Sequence, residues 1–93
     1  MEGIGELLAP LVGDDRVGPV HVCLYLAIVQ CRERQSAAAP FYIRREELMR
    51  LAKIQGRTTY FRVMRELAEW GFVGYWPSRD KGGRCRVRVI CFE

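Results

Sequence analysis

The sequence predicts a single α+β domain in which several helices precede a C-terminal β-hairpin. Apolar residues recur at helical spacing through much of residues 20–70, whereas two segments after residue 71 alternate between apolar and polar residues. The chain has 93 residues, 49% of them hydrophobic, which is enough for one buried core and too few for two. We therefore expect residues 1–93 to form one domain, with residues 1–18 as an N-terminal extension.

The N-terminal extension contains the apolar run "GIGELLAPLVG", which Pro10 interrupts and glycines bracket. Proline in a helix removes a hydrogen-bond donor and clashes with the preceding turn. We therefore expect only a weak helical turn, followed by the loop "GDDRVGP".

The first regular helix is predicted to begin at Pro19, because a missing N–H costs nothing at the first helical position. It continues through "VHVCLYLAIVQCRERQ" and is apolar on nearly every face, so it should be buried on more than one side. Two explanations remain open for this helix. Either it is the central support of the domain, covered by the N-terminal segment, or part of residues 20–34 forms a homodimer surface.

Two further helices are expected on either side of a break at Gly56. The short strand "FYI" comes first, and the helix "RREELMRLAKI" follows without a capping side chain, since Arg44 cannot act as an N-cap. Gly56 is expected to end that helix, and Gly71 should end the next one in the left-handed conformation.

The helix after the break, over about residues 57–70, has one apolar side and one polar side. Phe61 falls at the margin between them, so it is either a core-edge residue or an aromatic that stacks on a ligand. The apolar side contains Tyr60, Val63, Met64, Leu67 and Trp70. The polar side contains Thr58, Thr59, Arg62, Arg65, Glu66 and Glu69.

The C-terminal hairpin is predicted from the strand-like segments "FVGYWPS" and "RCRVRVICF", which the turn signal "RDKGG" separates. Alternation in the second strand gives it one apolar face and one basic face. The apolar face holds Cys85, Val87, Val89 and Cys91. The basic face holds Arg84, Arg86 and Arg88.

Charge is distributed unevenly along the chain. Residues 1–43 hold three basic and five acidic side chains, whereas residues 44–93 hold twelve basic and six acidic ones, so the net charges are −2 and +6. A basic half-domain favours binding to a phosphate backbone, although a solvated basic surface without a partner is the alternative.

The sequence contains no recognisable motif for catalysis, metal binding or export. Its four cysteines form no C-x-x-C pair, so we expect no metal or cofactor. Two disulfides are the alternative to free thiols, but without an export signal we expect free thiols at buried apolar positions. His21 is the one histidine and lies near no nucleophile motif, which favours a structural or capping role and a protein that is not an enzyme. With neither a long apolar segment nor a secretory signal, we expect a cytoplasmic location.

The phrase "REELMRLAKIQGRTTYFRVMRELAEWGFVGYWP" and the basic hairpin together resemble the winged helix-turn-helix family of DNA-binding domains. The resemblance covers residues 20–92 and is nearest to small winged-helix proteins of bacterial mobile elements and phage-type replication initiators. It implies a three-helix core with a C-terminal β-hairpin wing at residues 72–92. It also implies a role as a transcriptional regulator or as an accessory replication or mobilisation factor.

In this family the second helix of the motif enters the major groove of double-stranded DNA, and its N-terminal residues face the base edges. The resemblance therefore implies a set of DNA-binding residues in three groups. On the recognition helix they are Arg57, Thr58, Thr59, Arg62 and Arg65. On the preceding helix they are Arg45 and Lys53, and on the wing they are Arg79, Lys81, Arg84, Arg86 and Arg88.

Two alternatives compete with double-stranded DNA binding. A winged helix can serve as a protein-protein adaptor in a replication or transposition assembly, which the apolar first helix would favour. RNA binding is the other alternative, but the sequence predicts no exposed aromatic platform on the sheet beyond Tyr75 or Trp76.

Overall fold

The computed structural model describes residues 4–35, 41–77 and 84–90, and these form an α+β domain. The helices are α1 (Ile4–Val12), α2 (Pro19–Gln35), α3 (Arg45–Ala52) and α4 (Arg57–Glu69). The strands are β1 (Phe41–Arg44), β2 (Val73–Trp76) and β3 (Arg84–Val89). None of the helices in these ranges combines the length and the apolar character needed to cross a membrane.

The three strands form one antiparallel sheet in the order β1-β3-β2, so β3 pairs with both neighbours. Side chains alternate across this sheet as the sequence of β3 predicts. On the inner face they are buried against the helices, and on the outer face they are exposed. The buried inner residues are Ile43, Val73, Cys85, Val87 and Val89.

Helix α2 is the central support of the domain, since it contacts α3, α4, β1 and β3. Its buried hydrophobic side chains are Leu24, Tyr25, Ala27, Ile28, Val29 and Cys31. Val20 and Cys23, two apolar residues of the same helix, are exposed. Most of the apolar surface that suggested a homodimer is therefore buried within the chain.

The N-terminal segment is more regular than its sequence predicts. Helix α1 continues through Pro10 for nine residues, and Leu11 is fully buried in the core. The expected weak turn is therefore wrong, and the segment contributes to the core as well as preceding it. Burial of a leucine side chain contributes about 1.5–3 kcal/mol, which is comparable with the cost of a proline inside a helix.

The end of α3 also differs from the prediction. Lys53, with φ of 62°, is the left-handed residue, whereas Gly56 has φ of −97° and lies at the N-cap of α4. The Ile54 N–H donates to the Met49 carbonyl at 2.9 Å, which closes a Schellman motif and buries the Ile54 side chain. The apolar residue after the helix end, rather than the nearest glycine, therefore determines where α3 stops.

Helix α4 ends as predicted. Gly71 has φ of +84°, and the Phe72 N–H donates to the Leu67 carbonyl at 2.9 Å. This is the same 6→1 hydrogen bond that follows α3, here with glycine at the left-handed position. The buried Phe72 side chain then leads directly into β2.

The cysteines of the described residues are free thiols, as expected. Cys31 and Cys85 are buried, and burial raises the pKa of both thiols. Cys23 is exposed, which corrects the expectation that each cysteine occupies a buried position. Cys91 lies outside the described residues.

Candidate nucleic-acid interface

Helix α4 presents a polar stripe to solvent along the side opposite the core. Thr58, Arg62, Arg65 and Glu69 are exposed and recur at spacings of four and three residues. The opposite side of the helix is fully buried through Tyr60, Val63, Met64 and Leu67. The amphipathic pattern predicted for this segment is therefore confirmed.

The N-terminus of α4 is open and positively polarised. Gly56 provides no side-chain cap, and the first turn contains no acidic residue. The first N–H groups of a helix lack partners within the helix, and the helix dipole favours an anion there. Arg57 and Thr58 are exposed beside these N–H groups, while Thr59 is half-buried.

Arg57 differs from the other α4 arginines in its pairing. Within the described residues it forms no ion pair, whereas Arg62 donates to Glu66 at 3.1 Å and Arg65 lies 3.9 Å from Glu69. Glu66 and Glu69 thus offset positive charge in the C-terminal half of α4. The N-terminal half remains the more basic part of the stripe.

Arg62 is held through a chain of contacts that reaches the core. The Gly18 N–H donates to His21 Nδ1 at 3.0 Å, so the ring proton resides on Nε2. His21 Nε2 then donates to Glu66 Oε1 at 3.0 Å, and the same oxygen accepts from Arg62. His21 is buried, which confirms the structural and capping role expected for it.

Phe61 lies at the margin of α4, with 43% of its surface exposed. Its ring packs edge-on against Tyr60, with 5.1 Å between centroids, and the Arg45 guanidinium lies 5.9 Å from its centre. A surface groove of about 550 Å³ continues from this ring towards β2. The groove is lined by Phe61, Arg65, Ala68, Glu69, Tyr75 and Pro77.

The predicted contacts on α3 have different environments. Arg45 is mostly buried, its Nε lies away from solvent without a hydrogen-bond partner, and its guanidinium contacts Glu46 at 3.4 Å. Lys53 is exposed at the turn before α4, and Arg50 is exposed on α3. Lys53 is therefore available to a ligand at the α4 N-terminus, whereas Arg45 is directed towards Phe61.

The arginines of β3 lie on the other side of the molecule. Arg84, Arg86 and Arg88 are exposed on the outer face of the sheet, as the alternation predicts. The inner face carries Cys85, whose sulfur lies 3.9 Å from the hydroxyl oxygen of Tyr60 on α4. Helix α4 thus packs against the inner face, and its exposed stripe and the outer face point away from each other.

The structure does not bring all the predicted DNA-binding residues onto one surface. Those on α4 form one group, exposed except for the half-buried Thr59, and those on β3 form another. The predicted wing-tip residues Arg79 and Lys81 lie outside the described residues. Arg84 is the described arginine of β3 that lies nearest to the tip of the hairpin.

No protein-family model, curated protein or solved structure matches this chain.

The outer face of the sheet contains two exposed aromatic residues, of which sequence reasoning named Trp76 and missed Tyr42. Tyr42, Arg86 and Trp76 lie in register across β1, β3 and β2, and both aromatic side chains are exposed. Tyr75 instead belongs to the inner face and is half-buried, and burial raises the pKa of its phenol. Pairing of β1 with β3 creates this row, and only the alternation within "FYIR" could have indicated that Tyr42 faces outward.

Nowhere in ranges 4–35, 41–77 and 84–90 do three or more His, Cys, Asp or Glu side chains cluster as metal ligands would. Both ring nitrogens of His21 are occupied by hydrogen bonds.

Proposed function

We propose that this protein binds double-stranded DNA as a winged helix-turn-helix domain. In this assignment α3, residues 53–56 and α4 form the helix-turn-helix, and β2 with β3 forms the wing. The element order from α2 onward and the sheet order β1-β3-β2 support it.

The observation that carries the proposal is the N-terminal half of α4. An uncapped helix N-terminus, free of acidic residues in its first turn, is exposed next to Arg57 and Thr58, and the exposed Arg62 follows Thr58 one turn later on the same side of α4. A helix N-terminus with adjacent arginines provides phosphate contacts and can direct guanidinium groups to guanine in the major groove. Threonine adds a hydroxyl for hydrogen bonding and a methyl group for contact with thymine.

The flanking elements would provide contacts to the DNA backbone. Lys53 precedes α4 and is exposed, so it can reach a phosphate beside the recognition helix. At the hairpin, Arg84 with Arg79 and Lys81 would follow the backbone or enter a minor groove. Phe61 and the groove beside it would lie at the edge of this interface.

The position of Arg62 adds a structural reason for this assignment. Glu66 accepts hydrogen bonds from both His21 and Arg62, so the guanidinium is held near the polar stripe before DNA arrives. A pre-positioned side chain loses less conformational entropy on binding than a mobile one. The role in the cell would be that of a transcriptional regulator or an accessory replication or mobilisation factor.

Burial of α2 weakens the case for a protein-protein adaptor. That alternative depended on the apolar surface of α2, and most of those side chains pack inside the chain. The cationic N-terminal half of α4 offers a more specific partner, namely a polyanion with grooves. We likewise propose a binding protein rather than an enzyme.

Selection of bound sequences from a random duplex pool tests the proposal. Enrichment of a common site is the expected result, and Arg57→Ala and Arg62→Ala should each weaken binding to that site by about 1–3 kcal/mol while relaxing the preference at one base position. Arg32→Ala, in the last turn of α2, is the matched control for loss of one positive charge. Equal affinities for the two α4 variants and the control would refute the assignment of α4.

A further inference from the structure

We propose that the outer face of the sheet is a second binding surface, which takes single-stranded nucleic acid. In this site Tyr42 and Trp76 stack on unpaired bases, and the arginines of the outer face contact the phosphates. The site goes beyond duplex binding by α4, and of the residues proposed to contact a duplex it shares only Arg84.

The register of the three strands brings two aromatic side chains and an arginine together. Tyr42 pairs with Arg86, and Arg86 pairs with Trp76, so the three side chains cross the sheet in one row. The Arg86 guanidinium lies 4.5 Å from the centre of the Trp76 ring, which is a cation–π distance. A cleft of about 270 Å³ opens beside the row and is lined by Tyr42, Trp76, Pro77, Arg84 and Arg86.

The indole of Trp76 lies close against the backbone of β2. A Cβ atom on Gly74 would come within 2.9 Å of Trp76 Cη2 and 3.1 Å of Cζ3. The absence of a side chain at Gly74 therefore lets the ring lie close over the backbone of β2. A large aromatic ring is thus kept on the sheet surface while 44% of Trp76 stays exposed.

The outer face of the sheet is positively charged. The described outer face holds Arg44, Arg84, Arg86 and Arg88, all exposed, and none of them forms an ion pair with a described residue. Arg44 and Arg84 are direct cross-strand partners, an arrangement that like charges destabilise. A bound polyanion would relieve this repulsion.

These features together favour a single strand over a duplex or an acidic protein. Exposed aromatic rings on a sheet stack on the faces of bases, and those faces are accessible only when the bases are unpaired. Arginine adds phosphate contacts and can itself stack on a base. An acidic peptide would pair with the arginines but would provide no bases to stack on Tyr42 and Trp76.

The two surfaces face different directions, so they can be tested separately. Tyr60 of α4 contacts Cys85 on the inner face of β3, which puts the core between the α4 stripe and the Tyr42–Trp76 row. A substitution on one surface should therefore change affinity for one form of nucleic acid more than for the other.

The experiment measures fluorescence anisotropy of a labelled oligothymidylate of about 20 nucleotides, with oligouridylate and a duplex of equal length in parallel. Tyr42→Ala and Trp76→Ala should each lower single-strand affinity roughly 5- to 150-fold, and Trp76→Phe should recover most of the loss. The ratio of single-strand to duplex affinity should fall in Trp76→Ala and rise in Arg57→Ala. Arg32→Ala is the control for charge, and circular dichroism melting establishes that each variant is folded.

Several results would overturn the proposal. A wild-type protein without measurable affinity for either single strand would do so, as would equal losses for single strand and duplex in Tyr42→Ala and Trp76→Ala. Tyr42→Ala decides the question if Trp76→Ala does not fold. Single-strand binding without duplex binding would refute the proposed function and support this site. Duplex binding without single-strand binding would refute this site and leave the duplex site.

Discussion

Replacement of His21 by alanine should destabilise the domain by about 3 kcal/mol. The Gly18 N–H loses its acceptor, which costs about 1 kcal/mol, and the hydrogen bond to the Glu66 carboxylate contributes about 1.5 kcal/mol because that group is charged but partly exposed. The imidazole also packs on Trp70, with 5.0 Å between ring centroids, and loss of an aromatic pair costs about 0.5–1.5 kcal/mol.

Urea denaturation followed by far-ultraviolet circular dichroism measures this loss, and thermal melting should show a decrease of roughly 12–24 °C. Glu66→Gln is the control, because an amide oxygen can still accept from His21 and the expected cost is below about 1 kcal/mol. A double-mutant cycle of His21→Ala with Glu66→Ala should give a coupling of about 1 kcal/mol. A loss below about 1 kcal/mol in His21→Ala would refute the view that this imidazole joins α2 to α4.

Three further outcomes follow from single residues. Lys53→Gly should stabilise the domain by about 1 kcal/mol in urea denaturation, because Lys53 has φ of 62°, while Lys53→Ala, which keeps the Cβ, should give no gain. Iodoacetamide followed by mass spectrometry should label the exposed Cys23 quickly and the buried Cys85 only after unfolding, so equal rates would contradict the described core. Hydrogen bonds from Arg16 lower the pKa of the Asp14 carboxyl from 3.8 to about 2, so their stabilising contribution is present above pH 3.8 and is lost as the pH falls through about 2. An NMR titration midpoint near the ordinary value for Asp14 would contradict that contact.

Much of the fold can be predicted from local sequence pattern. The apolar stripe of α4 and the alternation of β3 are strong periodic signals, because each side of these elements has a single environment. Gly71 ends α4 where predicted, since glycine adopts positive φ without strain. These local features predict the α+β class and the exposed faces of the arginines.

The features that the sequence did not predict depend on tertiary contacts. Lys53 adopts positive φ because burial of Ile54 fixes the end of α3, and α1 passes through Pro10 while Leu11 packs in the core. Neither outcome is visible in a local propensity, because the compensating contact lies outside the residue itself.

The two candidate sites also differ in whether local sequence pattern or tertiary contacts determine them. The residues of the α4 stripe follow from helical spacing alone, so sequence reasoning could name them. The row of Tyr42, Arg86 and Trp76 requires the register of three strands, one of which lies about 40 residues away in sequence from the others. Non-local strand pairing of this kind leaves no periodic signal within any one segment.

The most direct test of duplex binding by this domain is its salt dependence. With about six phosphate contacts, the affinity for a selected duplex should fall on the order of 10³-fold between about 50 and 200 mM salt, because each contact releases condensed counterions. This steep, linear decrease of log affinity with log salt concentration is the predicted result. Absence of duplex binding at the lower salt concentration, or an affinity that salt does not change, would contradict the proposed function.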